Sequence, residues 1–566
     1  MSNRTLSLFL SLMMAVSVLA ADVITSDIPA SPKVGDSFTV KNGTDYTITY
    51  TITKAVSGTA SDASFTQGEV ELTKFEFGSS TNQTKYEQLY EAGYLYVYYS
   101  SPSISQNLKR GGYCVTSIGT QAFTELKSLK AITLDYAEKD IPGLKIGEEA
   151  FRNDTKFYAL YAKNNQTAMT FPEFSSVGKF AFSNSGLTMT VKVNGDIEES
   201  AFNNCKIAQF YMRGHHKLSK DALANCGKLN YVEVGGNDID PEAIYNTAYE
   251  LIVSWTGGSS NVSDVKKSPF YGARNEIVTV TYSGDIPNHY FEEFPNLKEL
   301  WSRKDLVYPN GQYKNPKIGF RAFMNCKKLK LIQVGGAIGD DAFYGCSAIN
   351  SIVWRGGDPY EGRTDLSGAL YYDAPFIDIS GQITSFKFES TPVTTPAKGL
   401  CAYMVNLKEV TIPFMGNTLG DNLFAGCTKL ETVTFDWGEY DTDKYSYNFE
   451  LSRGIFSECT ALKEVKNLPK CLTVVHSSAF YGCTSLHQNP VTLNHKKLTT
   501  IESYAFRNSA IDTLYIPENV TKIGGGTYST AAIADGTTNL KAIVYLPGSL
   551  TRKQVSGAYS NIFFTN

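Results

Sequence analysis

The sequence predicts a mainly β repeat solenoid that follows a small all-β region. A short phrase recurs along the chain. It consists of an aliphatic residue, a second residue that is often Gly, two variable residues, Ala-Phe, two more variable residues and then Cys. Two copies stand back to back at Ile318–Leu329 and Ile338–Ile349, and their Phe residues lie 20 positions apart. A strand-like segment follows each copy. Because one such unit cannot bury its apolar face alone, copies at a short fixed period are expected to stack.

The start of the chain has the pattern of a secretory signal peptide. Arg4 gives a positive n-region, the apolar run Leu6 to Leu19 follows it, and the small residue Ala20 marks a cleavage site. We therefore expect residues 1–20 to be removed and the mature protein to be exported, either secreted or held at the cell surface. The run is too short to span a bilayer, and since no other apolar run is long enough, no membrane span is predicted.

Composition excludes two classes of protein. A hydrophobic fraction of 42% argues against a disordered chain. A net charge of −4 gives no global attraction to nucleic acid or to anionic membranes, so a nucleic-acid partner is not predicted.

Residues 21–112 precede the clear repeats and alternate as strands do. The segments Thr47–Thr53 and Tyr94–Tyr98 place β-branched or aromatic residues at every second position. We interpret 21–112 as a β region that caps the solenoid, because an uncapped end would expose core and a pairing edge. Residues 547–566 are expected to cap the other end.

The repeats are predicted to occupy residues 113–546, as about fourteen units. Each phrase leads into an L-x-x-I-x-L strand such as Leu329–Val334, whose first, fourth and sixth residues should point into the core. The third and fifth should point outward onto a concave parallel sheet of a right-handed solenoid. The Phe of the phrase should fill the core, while the small Ala should admit the adjacent rung. Copies of the phrase begin at Ile118, Ile146, Val177, Ile197, Leu218, Ile318, Ile338, Leu419, Leu451, Val475, Ile501 and Ile523, and degenerate units lie near Ile286–Phe291 and Leu400–Leu407.

Two long interruptions are predicted, at 235–285 and 355–396. Both contain paired glycines, Gly257-Gly258 and Gly356-Gly357, and proline. In a solenoid, insertions map to loops, so these ranges are either candidate binding elements or tolerated drift in loop length.

The phrase I-G-x-x-A-F-x-x-C-x-x-L-x-x-I resembles the BspA-type leucine-rich repeat family, over roughly 113–546, and Tyr113–Gly119 is similar to the way such arrays open. The resemblance implies a leucine-rich repeat solenoid and an exported or surface protein. It further implies, as for some relatives, adhesion to host matrix proteins or to other cells. Some relatives have a C-terminal membrane anchor; none is expected in this sequence, so direct tethering is not predicted.

The ten cysteines do not have the distribution of a disulfide framework. Seven of them fall three residues after the repeat Phe or its Leu equivalent, which is one structural position used again and again. Free Cys behaves as a small apolar residue with a weak donor, so we expect buried, reduced thiols there. Bridges between successive rungs, Cys205 to Cys226 or Cys326 to Cys346, stay open as the alternative. The seven are Cys205, Cys226, Cys326, Cys346, Cys427, Cys459 and Cys483.

No catalytic or metal-binding motif is present in the sequence. It contains no G-x-S-x-G, no H-E-x-x-H, no G-x-x-x-x-G-K and no C-x-x-C. The pair His215-His216 is not expected to form a site, because neighbours in a strand point to opposite faces. We therefore predict a protein that is not an enzyme, with no cofactor and no metal.

Outward strand positions supply the candidate binding residues. Tyr, Trp and Arg are enriched at binding hot spots because they offer large, rigid contact area with a polar tip. Tyr211, Arg213 and Tyr231 should lie on neighbouring rungs and form the best single patch, although Tyr is also simply a good strand residue. The full set is Tyr161, Tyr211, Arg213, Tyr231, Glu233, Trp301 and Gln333, to which Glu409 and Tyr515 are added.

Three functions fit these features. The first is an exported, non-catalytic module that binds a protein ligand, in host extracellular matrix or on another cell surface, through its concave sheet. The second is a carbohydrate-binding protein of an outer surface, using the same aromatics to bind glycan. The third is a structural envelope protein without a specific ligand.

Overall fold

The structure is a computed structural model, and the predicted signal peptide 1–20 and C-terminal cap 547–566 lie outside the residues that it describes. Those residues are 24–25, 33–42, 46–54, 68–77, 95–97, 113–124, 126, 129, 131–135, 143–164, 168–170, 173–236, 238–303, 315–360, 374–389, 397–413, 418–437, 448–524, 533–534 and 536–545.

The chain divides into two compact units. The first comprises residues 1–259 and 266–277, and the second comprises 260–265 and 278–566. Both consist of β-strands and turns; the described helical segments are the 3₁₀ turn Val265–Lys267 and the single-turn helix Ile377–Ser380. The predicted class, a β-rich leucine-rich repeat solenoid, is confirmed.

The N-terminal strands form an antiparallel meander that continues into the repeats. They are β1 (Ile24–Thr25), β2 (Ser37–Asn42), β3 (Tyr46–Lys54) and β4 (Gly68–Phe77). β1 to β4 pair antiparallel in sequence order, and β4 then pairs in parallel with the first repeat strand, Tyr113–Ile118. The meander therefore occupies one edge of the parallel repeat sheet of this unit.

The first unit continues as parallel strands. The one antiparallel pair among them joins β9 and β10. The strands are β5 (Leu95–Val97), β6 (Tyr113–Ile118), β7 (Ala131–Asp135), β8 (Leu144–Ile146), β9 (Ala159–Asn164), β10 (Ala168–Thr170), β11 (Glu173–Val177), β12 (Val191–Val193), β13 (Gln209–Met212), β14 (Tyr231–Val234) and β15 (Leu251–Trp255).

The strands of the second unit are again paired in parallel. They form the series β16 to β20, the triplet β21-β22-β24, the quartet β23-β25-β26-β28 and the pair β27-β29. They are β16 (Ile277–Tyr282), β17 (Glu299–Ser302), β18 (Leu331–Val334), β19 (Ser351–Trp354), β20 (Ser385–Phe388), β21 (Glu409–Pro413), β22 (Thr432–Asp436), β23 (Phe449–Leu451), β24 (Glu464–Lys466), β25 (Leu472–Val475), β26 (Thr500–Ile501), β27 (Thr513–Ile516), β28 (Lys522–Ile523) and β29 (Ala542–Tyr545).

The L-x-x-I-x-L strands have the predicted in-out alternation. In β18, Ile332 and Val334 are buried while Leu331 and Gln333 are half-buried on the outer face. The same pattern holds in β14, β17, β19 and β27. The alternation follows from the two-residue period of a strand with one face on the core.

A second parallel ladder, not predicted from the sequence, runs through the first residue of each phrase. Ile118 pairs with Ile146, Ile146 with Val177, and the series continues through Ile197 and Leu218 to Ile239. All of these side chains are buried. Where Gly follows the aliphatic residue, it permits close rungs: a Cβ on Gly147 would lie 2.6 Å from the Gly119 carbonyl carbon.

The Ala-Phe turn is held by bonds between rungs. At most repeat Phe residues, the N–H donates to the carbonyl of the residue before the Phe position in the next rung, usually Ala, as from Phe151 to Ala181 at 2.7 Å and from Phe323 to Ala342 at 2.9 Å. The buried rings then stack, with Phe323 5.7 Å from Phe343 and 7° between the ring planes. The prediction that Phe fills the core is confirmed.

Two residues of each turn adopt the left-handed conformation. The residue before Ala has positive φ even when it has a side chain, as at Gln121 (56°) and Arg321 (52°). That conformation is costly for L-residues, and bonds to the next rung offset the cost: the Arg321 N–H donates to Asp340 O at 3.1 Å. The residue two after Phe is often Asn, which tolerates positive φ best after Gly. These amides bond across rungs, as from Asn204 Nδ2 to Asn184 Oδ1 at 3.0 Å.

The seven repeat cysteines share one set of contacts. All seven are buried, and none of the seven forms a disulfide. At each of the seven, the S–H lies 3.0–3.2 Å from the carbonyl oxygen of the residue at the Phe position one rung earlier. Thr537 has the same place in a rung without Cys, and its hydroxyl donates to Phe506 O at 2.8 Å. The position thus selects a small buried donor.

Residues 235–285, predicted to be a long interruption, contain further rungs. β15 and β16 lie in this range, and Ala243-Ile244 takes the place of Ala-Phe, with the Leu223 N–H donating to Ala243 O at 2.9 Å. The paired glycines serve packing between rungs: a Cβ on Gly258 (φ 85°) would lie 2.1 Å from the His215 ring. Within 355–396, the described residues likewise include the strand β20.

Candidate functional site

The first unit presents an aromatic and charged cluster on the outer face of three adjacent strands. β12, β13 and β14 pair in register, which places Lys192, Tyr211 and Glu233 side by side. Tyr231 lies diagonally opposite, and its ring centroid is 5.1 Å from that of Tyr211 with a 39° tilt. The strands alternate buried and outward residues, so these side chains share one face. We call Tyr211, Arg213, Tyr231 and Glu233 the tyrosine cluster.

Hydrogen bonds hold the tyrosine cluster in place. The Tyr231 hydroxyl donates to Glu233 Oε2 at 3.1 Å, and the Ser254 hydroxyl on the next strand reaches the same oxygen at 3.4 Å. Arg213 follows β13 and is 65% exposed, with its Nε 3.5 Å from Glu173 Oε1. A guanidinium that exposed is screened by solvent, so its ion pair contributes little to stability and leaves it available to a partner.

The second unit has its own outward row, on β17 and β18. Trp301 and Gln333 are paired across these strands, as the predicted register requires. The Trp301 indole N–H donates to Glu299 Oε2 at 2.9 Å, which fixes the ring on the outer face. Gln333 is less available, because its side-chain amide donates to Glu389 Oε2 at 3.2 Å.

Glu389 in turn belongs to a buried ion pair. Its Oε2 lies 2.9 Å from Arg355 Nε, and these side chains are only 15% and 5% exposed. Arg355 also donates to the Ser302 carbonyl at 2.7 Å. Gln333 is therefore bonded to a buried ion pair and is less free to contact a ligand. The alternation pattern of the strand could not predict this bond.

The remaining candidates lie apart from both groups. Tyr161 is half-buried on β9, where it pairs with Thr133. Glu409 is exposed on β21 and Tyr515 is half-buried on β27. The structure thus brings together four of the predicted residues in the first unit and two in the second, and it leaves these three separate.

Nothing in the described part of the chain resembles a metal site or a membrane-spanning helix. Across those residues, no three His, Cys, Asp or Glu side chains are grouped so that they could hold a metal ion. The described helical segments are also too short to cross a bilayer. The thiols are poor nucleophiles there, since burial raises the pKa of Cys205 and of Cys427 to about 12.

Several solved structures are similar to the chain. A leucine-rich repeat protein from Bacteroides ovatus is 17% identical, with 90% of this chain and 98% of that one covered and a TM-score of 0.23. One from Eubacterium ventriosum is 14% identical, with 84% and 96% covered and a TM-score of 0.21. A leucine rich cell surface protein from Faecalibacterium prausnitzii is 15% identical, with 96% and 100% covered and a TM-score of 0.21. No curated protein matches the sequence.

The family is established by the repeats rather than by these likenesses, whose TM-scores are low. The model of the BspA type leucine-rich repeat region matches in six copies, over residues 153–275, 285–357 and 394–534. These ranges cover more than half of the 566 residues. The described rungs within them have the phrase, the strand and the turn that the pattern predicts. The chain therefore belongs to the BspA-type leucine-rich repeat family.

Proposed function

We propose that this chain is an exported, non-catalytic adhesion module that binds a protein of another cell surface or of host extracellular matrix. The tyrosine cluster is the observation that supports the proposal most. Two Tyr rings, a carboxylate and an exposed guanidinium share one face of three hydrogen-bonded strands. Tyr and Arg are the residue types enriched at binding hot spots.

The rigidity of the strands favours binding there. The ordering of side chains and loops on binding costs free energy. A surface that is already ordered before binding therefore loses less free energy on association. Tyr231 and Glu233 are bonded to each other, and the rungs on either side fix their strand. A flat strand surface of this kind suits an extended contact with a protein better than a small-molecule pocket.

Export is part of the proposal and depends on the N-terminal pattern. Residues 1–20 have the charge, apolar run and small residue of a signal peptide. The family resemblance supports a surface or secreted location. Two alternatives are a carbohydrate-binding protein of an outer surface and a structural envelope protein without a specific ligand.

The direct test is binding of the purified protein to immobilised fibronectin and fibrinogen by biolayer interferometry. The test variant combines Tyr211→Ala, Arg213→Ala and Tyr231→Ala. The matched control is Tyr249→Ala, which removes a Tyr that is 68% exposed outside the strands. Circular dichroism and the melting temperature establish that each variant is folded.

We expect saturable binding by the wild type and the control, and at least about tenfold weaker binding by the triple variant. Equal binding by the triple variant would exclude the tyrosine cluster as the contact surface. If the wild type binds neither protein, fibronectin and fibrinogen are excluded as partners. Competition by free sugar would instead favour the carbohydrate alternative.

A further inference from the structure

The second unit has a break in its outward strand ladder. The rungs before and after the break supply β24 and β27, which pair only with β22 and β29 among the described strands. Residues 486–499 lie between them in the stack and form no strand. Pro490 falls at the strand position of this rung and has no N–H to donate to a ladder.

A side chain replaces the missing ladder bond. The Asn489 amide donates to the carbonyl of Thr513 on β27 at 3.2 Å, and its oxygen accepts from the Val491 N–H at 2.9 Å. Asn489 is only 3% exposed. The irregular segment therefore stays bonded to the following rung, while on the side of β24 it leaves a gap.

That gap is a cavity of about 270 Å³ between β24 and the segment 488–495. Its deeper wall includes the buried side chains of Leu468, Asn489 and His495. Its exposed lining residues include Gln488 and Asn494. The volume lies just below the ~300 Å³ at which ordinary small-molecule pockets begin, so it suits a ligand of about one ring.

His495 offers a donor in this cavity. Its Nδ1 lies 3.0 Å from the Thr492 N–H and 3.2 Å from the Thr492 carbonyl oxygen, and the tautomer in which Nδ1 accepts the N–H carries the ring proton on Nε2. Nε2 is buried without a well-formed hydrogen bond, and the Leu468 carbonyl is the backbone group that faces the ring. Burial lowers the pKa of His495 despite the opposing effect of the Thr492 and Leu468 backbone, so the ring is neutral at pH 7.

The polar groups of the lining are mixed and nearly balanced in charge. Carboxamides of Asn467, Gln488 and Asn494 each supply donors and an acceptor. Glu464 and Lys470 carry opposite charges, and Glu464 already lies 3.3 Å from Lys466 Nζ. Such a lining has no net preference for an anion or a cation. It matches a neutral ligand that both donates and accepts at each of its groups, as hydroxyls do.

We propose that this cavity binds one neutral sugar ring, either as a free monosaccharide or as the terminal residue of a glycan. The carboxamides and His495 Nε2 bond to ring hydroxyls, and Leu468 and Pro490 contact the C–H face. The site is independent of the tyrosine cluster, since it belongs to the second unit. A sugar site there can exist whether or not the first unit binds a protein.

The test uses the full chain and three variants. Gln488→Trp places an indole at the exposed mouth of the cavity. His487→Trp is the matched control, because His487 is the exposed neighbour and is not part of the lining. His495→Phe removes the Nε2 donor, together with the Nδ1 acceptor of the Thr492 N–H, and keeps a ring of similar size. The probes are glucose, galactose, mannose, fucose and N-acetylglucosamine, each followed by saturation-transfer NMR.

We expect at least one probe to bind the wild type and His487→Trp equally, and to bind Gln488→Trp at least about tenfold more weakly. His495→Phe should also bind more weakly while melting cooperatively. The same sugar coupled to albumin should bind and be displaced by the free sugar; capture only of the free form restricts the ligand to monosaccharides.

Two outcomes would overturn the proposal. One is that none of the probes binds the wild-type chain. The other is that a probe binds Gln488→Trp as well as it binds His487→Trp, which would locate the sugar elsewhere. Neither outcome bears on protein binding by Tyr211, Arg213 and Tyr231, which a different variant tests.

Discussion

The repeat cysteine position offers the sharpest test of how the rungs hold together. At Cys346, the thiol is 1% exposed and lies 3.0 Å from the carbonyl oxygen of Phe323 on the previous rung. That oxygen also accepts the Cys326 N–H at 3.2 Å, so it keeps a partner when the thiol is removed. The perturbation is a series at one site: Cys346→Ser, Cys346→Ala and Cys346→Val.

The magnitudes follow from what each side chain loses. Ser keeps a donor, as the hydroxyl of Thr537 does in its own rung, and should cost less than about 1 kcal/mol. Ala loses a hydrogen bond worth ~0.5–1.5 kcal/mol. It also leaves a small cavity, so the total should be about 2 kcal/mol. Val loses the donor as well and overfills the turn, which should cost ~2–3 kcal/mol.

The assay is urea unfolding followed by circular dichroism, with amide hydrogen exchange at the affected rungs. Exchange is included because a solenoid can open locally. We expect the free energy of unfolding to decrease from the wild type to Cys346→Ser, then to Cys346→Ala and then to Cys346→Val. If Ala and Val are as stable as wild type while Ser is the least stable, the position selects apolar volume alone and the argument from the hydrogen bond is wrong.

Three further perturbations test the core, the close packing of rungs and the buried thiols. Phe323→Ala should lower the free energy of unfolding by ~3–5 kcal/mol, because its stacked ring is fully buried, whereas Tyr344→Ala, at a residue 51% exposed, should change it by less than about 0.5 kcal/mol in the same urea titration. Gly258→Ala should lower the melting temperature, since its Cβ would lie 2.1 Å from an imidazole ring at positive φ, while Gly227→Ala has open space and should leave it unchanged. Burial raises the pKa of Cys205 from 9.0 to about 12, so the contribution of this thiol to the free energy of unfolding is complete below pH 9 and is lost between pH 9 and 12. The loss should reach about 1.4 kcal/mol per pH unit. A free energy of unfolding that stays constant across that window would contradict the prediction.

The family and the core were readable from residue spacing. The phrase places Phe323 and Phe343 one rung apart, and the structure stacks their rings at 5.7 Å. The strand pattern places Ile332 inside and Gln333 outside, as observed. Both results depend only on local periods, of one rung and of two residues, and such periods are properties of the sequence itself.

The repeat pattern did not identify the rungs within 235–285, for a specific reason. Their phrase replaces Phe by Ile244 and Gly by Asp240, and the pair Gly257-Gly258 resembles a loop. The ladder nevertheless passes through Ile239, because backbone pairing with Leu218 requires only a buried aliphatic residue at that place. The role of Gly258 against His215 depends on two segments that meet only after stacking.

The repeat family, the buried face of each strand and the turn position of the cysteines follow from residue spacing alone. Which groups meet between rungs depends on the folded chain. The thiol of Cys346 reaches a carbonyl 23 residues earlier, and Tyr231 packs beside Tyr211. The cavity beside Pro490 exists because an irregular rung lies next to β24. Periodicity is a local property of a chain, whereas the register between stacked rungs depends on the packing of every rung before it.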